Sequence, residues 1–127
     1  MAGISAAIPY LCVKDAASAL AFYERAFGAV VTREPVMFEG KIGHAELRLD
    51  NVQLFVADEF PEFGVRSPAS VGACTATIVL IVSDVRGLTE RAREAGATVT
   101  QEPKDEPYGQ TAKLQDPFGQ RWIVNSG

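Results

Sequence analysis

The segment GHAELRL holds the residues of this chain best suited to chemistry. His44 is the only histidine, Glu46 lies two residues later, and Arg48 two residues after that. An imidazole beside a carboxylate can exchange protons near neutral pH, and both groups can also bind metals. Two residues at this spacing on a strand are about 7 Å apart, so a metal would need further ligands from elsewhere. Three interpretations remain open: a metal site, a partly solvated polar ladder, and an organic-ligand site in which His44 and Glu46 act as acid/base groups.

Strict alternation assigns this segment to a strand with two different faces. A turn at Asp50-Asn51 leads into a second strand, NVQLFVAD. Pairing across the turn places Leu47 opposite Leu54, which predicts an apolar face packed against a helix. The opposite face is predicted to consist of His44, Glu46, Arg48, Gln53, Phe55 and Ala57. A polar and aromatic face of this kind is suited to lining a cleft for a small molecule, so we expect its larger side chains to contact the ligand.

The elements that position these residues occur twice in the chain. VKDAASALAFYERAFGAVVTREP, which begins at residue 13, is repeated as VSDVRGLTERAREAGATVTQEP, which begins at residue 82. In each copy an apolar strand ends at an aspartate that can cap an amphipathic helix, and a glycine stands where the helix should end. These residues are Asp15, Gly28, Asp84 and Gly96. Further strands follow each copy, so the repeated unit is β-α-β-β-β.

The duplication predicts an α+β fold. We expect two βαβββ modules that form a paired, curved mixed sheet, or cup, with the helices on its outer face. Residues 1–127 are expected to be a single domain. The first module covers about 5–58, a linker rich in Pro, Gly and Ser covers about 59–74, and the second module covers about 75–126.

Composition excludes several classes of partner. The net charge is −4 and no stripe of Lys and Arg is present, which argues against binding to nucleic acid. No apolar run approaches the roughly 20 residues of a membrane span. The opening MAGISAAIPYLCV lacks a basic segment before its apolar residues, so we expect no signal peptide. The two cysteines, Cys12 and Cys74, are too few for a disulfide framework, which favours a cytoplasmic location.

Several motifs resemble those of a known superfamily. The helix ALAFYERAFGA, the strand HAELRL and the closing DPFGQRW, within a paired βαβββ repeat, resemble the vicinal oxygen chelate superfamily. That superfamily includes glyoxalase I, extradiol dioxygenases and bleomycin-binding proteins, and the motifs are most similar to its small glyoxalase-like branch. The resemblance covers nearly the whole chain. It implies the fold described above and a homodimer.

The resemblance also implies where a metal would bind. Metal-dependent members supply two ligands from each module, one near the start of its first strand and one on its last. In this chain those positions fall at about Ile8, at Gln53 or Phe55, at about Thr77 and at Ile123. None of these residues is His, Glu or Asp, the side chains that such metals need. We therefore predict no metal and no other cofactor, with a divalent metal as the less favoured alternative.

Other expected ligand contacts come from both modules. Tyr10 has the strand parity of Ile8 and is predicted to offer a hydroxyl and a ring to the cup. In the resembled branch the segment corresponding to DEPYGQTAK reaches over the pocket, which implies contacts from Tyr108 and Gln110. We add Arg121, in the closing motif, to the expected contacts.

These observations lead to one functional prediction and two alternatives. We expect a protein that binds a small organic molecule, either a metabolite or a drug, in the cup without the usual metal site. The first alternative is a divalent-metal enzyme of the glyoxalase or dioxygenase type, a lyase or isomerase with an atypical site. The second is metal-free isomerase or lyase chemistry through His44 or Glu46. The sequence is compatible with either an enzyme or a binding protein.

Overall fold

Nine strands and three helices are present in the computed structural model of the protein, which describes residues 2–127. The strands are β1 Tyr10–Val13, β2 Val30–Val31, β3 Val36–Phe38, β4 Lys41–Leu49, β5 Val52–Asp58, β6 Ile78–Ile81, β7 Thr98–Glu106, β8 Gly109–Gln115 and β9 Arg121–Asn125. The helices are α1 Ala16–Phe27, α2 Pro68–Val71 and α3 Val85–Ala95.

The first sheet contains the hairpin predicted around residues 50 and 51. Its order is β1-β5-β4-β2, with β1 parallel to β5 and β4 antiparallel to β5. Leu47 pairs with Leu54 and Ala45 with Val56, in the predicted register. All four of these side chains are buried. Asp50 adopts a positive φ of 54° in the turn, a conformation that aspartate tolerates better than most residues.

The first module also contains one strand more than the repeated unit predicts. Strand β4 is nine residues long, while β2 pairs with only two of them. The start of β4 pairs instead with β3, through a turn in which Glu39 and Gly40 have φ of 51° and 78°. The second module has no such addition in the described chain: its sheet order is β6-β9-β8-β7.

The predicted helix ends are confirmed. Asp15 accepts a hydrogen bond from the backbone N–H of Ser18 at 3.1 Å, and Asp84 accepts one from the backbone N–H of Gly87 at 2.9 Å. Gly28, with φ of 69°, provides the left-handed residue at the end of α1. Each module therefore starts and stops its helix by the same local rules, as its sequence indicates.

The two modules share one hydrophobic core. Helices α1 and α3 contact each other, and the apolar sides of both sheets face this helix pair. Tyr23 and Phe27 of α1 pack against Trp122 of β9, with ring centroids 5.8 Å and 4.9 Å apart. The α+β class and the two curved mixed sheets are confirmed. Within residues 2–127 the sheets are not joined strand to strand, so each has its own face turned away from the helices. We call this the outer face of the sheet; it corresponds to the lining of the predicted cup, whose helices lie on the opposite side.

The predicted linker has structure of its own. A 3₁₀ turn at Pro61–Phe63 is followed by the short helix α2. The side chain of Glu59 accepts hydrogen bonds from the backbone N–H of Ser67, at 2.9 Å, and from its hydroxyl. Phe60 forms an isolated bridge with Val65. In the part of the chain described, no helix has both the length and the apolar character needed to cross a membrane.

Candidate functional site

Three polar side chains form a continuous hydrogen-bonded chain on the outer face of the first sheet. The Tyr10 hydroxyl lies 2.7 Å from Nδ1 of His44, and Nε2 of His44 lies 2.9 Å from Oε2 of Glu46. The same hydroxyl lies 3.1 Å from the carbonyl oxygen of Gly43. His44 and Glu46 are thus connected to a third group, Tyr10, from a strand more than thirty residues away in sequence.

Strand pairing accounts for this arrangement. Tyr10 on β1 pairs with Phe55 on β5, and Phe55 pairs with Glu46 on β4. The rings of Tyr10, His44 and Phe55 meet edge to face, with centroids 4.8–5.6 Å apart. Such contacts fix ring orientation and add about 0.5–1.5 kcal/mol per pair beyond burial. The phenol and imidazole are therefore held by packing as well as by hydrogen bonds.

Charged groups lie at the Glu46 end of this hydrogen-bonded chain. Glu46 lies 3.7 Å from the guanidinium of Arg33. Arg48, two residues further along β4, pairs with Gln53 in the strand register. Arg48 is exposed and forms no ion pair within the described residues. Burial, followed by the nearby charge of Glu46, raises the pKa of the Tyr10 hydroxyl above its ordinary value, so this group is a neutral phenol at physiological pH.

A pocket of about 320 Å³ opens beside Tyr10. It is lined by Tyr10, Leu11, Cys12, Gly43, Ala57, Phe60 and Val65. Its walls are mostly apolar, and the linker supplies two of them. Burial, with further contributions from Glu59 and Asp58, raises the pKa of the Cys12 thiol to about 11. Because the thiolate is the nucleophile, Cys12 serves as a wall of the pocket and not as its reactive group.

A larger open pocket of about 540 Å³ lies between α2 and the turn at residues 116–119. Its one carboxylate, Asp116, points inward and bonds to Tyr23 and Trp122. The remaining lining is made of small residues, prolines, Thr98 and Gln115. Few of these groups could orient a ligand, so the pocket beside Tyr10 is the better candidate.

The predicted contacts from the second module lie on other surfaces. Tyr108 is 63% exposed at the turn between β7 and β8. Gln110 donates a hydrogen bond to Asp105 at 3.1 Å, and Arg121 is exposed at the start of β9. No hydrogen bond or ring contact of the described residues joins these three to the group around Tyr10. Of the expected ligand contacts, the structure brings together Tyr10, His44, Glu46 and Phe55. Arg48 and Gln53 form the neighbouring cross-strand pair on the same face of the sheet.

Three contributors to the site were not predicted. Arg33 reaches Glu46 from the segment after β2, Val65 closes the pocket from the linker, and the carbonyl of Gly43 offers a second acceptor to Tyr10. Alternation can place Gly43 on β4 but carries no information on which carbonyl a distant hydroxyl reaches. Arg33 follows the segment Val30-Val31-Thr32, whose short pairing with β4 is visible only in three dimensions.

This chain is a paired βαβββ protein. It contains two βαβββ modules and a polar and aromatic cluster on the outer face of one sheet. A family model described as the Glyoxalase/Bleomycin resistance protein/Dioxygenase superfamily matches residues 4–124. The chain therefore belongs to this superfamily, as its motifs suggested.

Relatives of known sequence or structure agree with this assignment. An uncharacterized protein of Mycobacterium tuberculosis H37Rv is 40% identical over 120 residues, which cover 91% of this chain and 71% of that protein. TioX from Micromonospora sp. ML1 has a TM-score of 0.75 at 25% identity, with 95% of this chain and 97% of that chain covered. The bleomycin-binding protein of Streptomyces verticillus, solved with copper(II)-bleomycin, has a TM-score of 0.69 at 18% identity and covers 100% of this chain and 99% of its own.

The residues at the superfamily's metal-ligand positions do not fit a divalent metal. Ile8 and Ile123 offer only hydrocarbon, Thr77 offers a hydroxyl, and the position at Gln53 or Phe55 offers an amide or a ring packed against Tyr10 and His44. Within residues 2–127 no three His, Cys, Asp or Glu side chains are grouped as a metal would require. Nε2 of His44 is also already engaged by Glu46.

Proposed function

We propose that this protein binds a small organic molecule on the outer face of its first sheet, without a metal ion. The observation that carries the proposal is the apolar pocket of about 320 Å³ placed beside the Tyr10–His44–Glu46 chain. The pocket supplies area for an aromatic or aliphatic ring, and the hydrogen-bonded chain supplies polar groups at one end. This combination of apolar walls with a few placed polar groups is typical of ligand sites.

The same proposal includes a cytoplasmic location and a homodimer. Cys12 and Cys74 are both free thiols, which suits a reducing compartment. The exposed apolar side chains Val79 and Ile81 lie on β6, an edge strand of the second sheet. An uncovered apolar edge favours pairing with another chain. We propose that a homodimer covers it, and that the partner's second module approaches the ligand site.

A ligand screen by thermal unfolding tests the binding proposal. A panel of planar aromatic compounds and antibiotics is added to the purified protein, and a true ligand at about 100 times its dissociation constant should stabilise the fold by about 2.7 kcal/mol. The Phe55→Ala variant should lose most of this shift, since its ring orders Tyr10 and His44. The Glu94→Ala variant, changed at an exposed position on α3, should keep it.

Two outcomes would overturn the proposal. A panel that leaves the melting temperature of the wild type unchanged would remove the support for a ligand site. Metal analysis tests the proposal that the site works without a metal ion. We expect purified protein to contain substoichiometric zinc, iron, nickel and manganese, and to take up none on soaking. Stoichiometric metal, together with an activity lost on chelation, would instead establish the divalent-metal enzyme.

A further inference from the structure

The carboxylate of Glu46 determines which nitrogen of His44 carries the proton. An ionised carboxylate can only accept hydrogen bonds, and Oε2 of Glu46 lies 2.9 Å from Nε2 of His44. A neutral His44 must therefore carry its hydrogen on Nε2. Nδ1 is then an acceptor, and the donor that it faces is the Tyr10 hydroxyl, 2.7 Å away.

Because the hydrogen bonds run in this direction, the Tyr10 oxygen can still accept a hydrogen bond at the pocket. A phenol has one hydrogen to donate and lone pairs that accept. The carbonyl of Gly43, at 3.1 Å, competes for this hydrogen with Nδ1 of His44, at 2.7 Å. With the hydrogen directed to the nearer acceptor, Nδ1, the lone pairs of Tyr10 are available to a ligand. The ring is 53% exposed and forms part of the pocket lining. A ligand at this position is therefore recognised through a hydrogen-bond donor of its own.

We propose that the site takes ligands with a weakly acidic hydroxyl, such as phenols or enols, and holds them as their anions through a Tyr10–His44 proton relay. The inference rests on the function proposed above. The ligand O–H bond breaks and its proton forms a new O–H bond at Tyr10. The original O–H bond of Tyr10 breaks at the same time, and that proton forms an N–H bond at Nδ1 of His44. The products are a bound oxyanion and an imidazolium, with no change in oxidation state.

The charges around His44 support this transfer. The imidazolium keeps its hydrogen bond to Glu46, a positioning residue that now also stabilises positive charge. Arg33 lies next to Glu46, and Arg48 lies on the same outer face without an ion pair among the described residues. The other neighbours, Phe55 on β5 and Val36 on β3, carry no charge. The imidazolium is therefore flanked by the carboxylate of Glu46, with Arg33 behind it, while the Cys12 wall of the pocket lies near the charges of Asp58, Glu59 and Lys41.

The groups further into the pocket stay neutral during the transfer. Burial raises the pKa of the Tyr10 hydroxyl, so Tyr10 passes its proton on and does not keep a negative charge. The Cys12 thiol, whose pKa is about 11, neither supplies nor takes a proton near neutral pH. His44 is thus the proton acceptor of the site.

Binding of 4-nitrophenol tests the relay, because its anion is coloured. The compound is buffered below its own pKa, and protein is titrated in while the phenolate absorbance is recorded. We expect phenolate to appear with the wild type and with Glu94→Ala. Tyr10→Phe and His44→Gln should each reduce it at least tenfold, since one breaks the relay and the other removes the final acceptor. Glu46→Gln should move the appearance of phenolate to higher pH. Circular dichroism and melting curves verify that each variant folds.

The methyl ether 4-nitroanisole separates failure of the relay from failure of the binding proposal. It has the same ring but no proton to lose, and it should bind more weakly and independently of His44. If both compounds bind but the phenol stays neutral, or if Tyr10→Phe and His44→Gln still yield phenolate, the relay is wrong and the binding proposal stands. If neither compound binds while other members of the panel do, the assignment of phenols is wrong. If no compound of any kind binds, the proposed function itself is overturned.

Discussion

The carboxylate of Asp116 is the buried group on which the junction of the two modules depends. Its Oδ2 accepts hydrogen bonds from the Tyr23 hydroxyl at 2.6 Å and from Nε1 of Trp122 at 3.0 Å. Its Oδ1 accepts from the backbone N–H groups of Phe118 and Gln120. Burial raises the pKa of this carboxyl, against the effect of the four donors. One side chain thus connects α1 of the first module to the closing turn of the second.

Replacement of Asp116 should destabilise the whole protein. In Asp116→Ala the Tyr23 hydroxyl and the Trp122 N–H lose their buried acceptor, and each unsatisfied group costs about 1–3 kcal/mol. We expect a loss of about 3–5 kcal/mol in urea unfolding, with a smaller loss for Asp116→Asn. The matched control is Asp50→Asn, at an exposed turn position, which should stay within about 0.5 kcal/mol of the wild type. An equal effect of the two asparagine variants would contradict this role.

Individual residues differ in how far the sequence could predict them. Alternation placed His44, Glu46 and Phe55 on one face because period two is a local property of a strand. Asp116 begins the DPFGQRW motif, but its structural role was not predicted, since its partner Tyr23 lies 93 residues earlier. No local pattern indicates a hydrogen bond of that range. The expected contacts from Tyr108 and Arg121 depended on how the modules pack, which local patterns also do not contain.

Among the elements, the linker offers a test that depends on pH. Hydrogen bonds from Ser67 and Ser70, with a smaller contribution from Lys14, lower the pKa of Glu59 to about 2. A carboxyl whose pKa is lowered by folding stabilises the protein above its unfolded pKa, and that stability is lost as the pH falls through the folded pKa. Glu59→Gln should therefore be less stable than the wild type at pH 7, by about 1 kcal/mol after allowance for solvent screening.

This difference should shrink steadily as the pH is lowered from about 5 towards 2, within the range set by the ordinary and lowered pKa values of Glu59. Urea unfolding at a series of pH values measures it. The control is Glu62→Gln, at an exposed position in the same segment, which should match the wild type throughout. A Glu59→Gln difference that does not vary with pH would show that the carboxylate charge does not stabilise the linker.

The sequence predicted most elements because each one is specified locally. Aspartate caps, terminal glycines and alternation define both βαβββ units. Strand β3 was not predicted: Val36–Phe38 is too short to show a period, and its turn uses Glu39-Gly40 in place of a strong Asn-Gly signal. The folded structure of the linker was also missed, because Glu59 and Ser67 act as partners only once the chain has turned.

At the scale of the whole molecule, the arrangement of sheets and helices leaves the outer faces of both sheets uncovered. Both sheets direct their apolar side to α1 and α3, so the outer faces of the first and second sheets are separate within one chain. The prediction of a cup rested on the duplication, which specifies two similar sheets but not how they face each other. A cup that combines both outer faces would require a second copy of the chain.

The proposed dimer predicts a mass and a variant that changes it. Strand β6 pairs only with β9 in the described chain, and it exposes Ile81 by 65% and Val79 by 50%. The wild type should sediment at twice the 13.6 kDa of one chain. Ile81→Lys places a charge on the uncovered edge, which opposes strand pairing, and should sediment as a single chain with an unchanged melting curve at low protein concentration. Val71→Lys, at an apolar position on α2 that is 50% exposed, should remain a dimer. A wild type that sediments as one chain even at millimolar concentration, or an Ile81→Lys variant that stays a dimer, would show that β6 is not the interface.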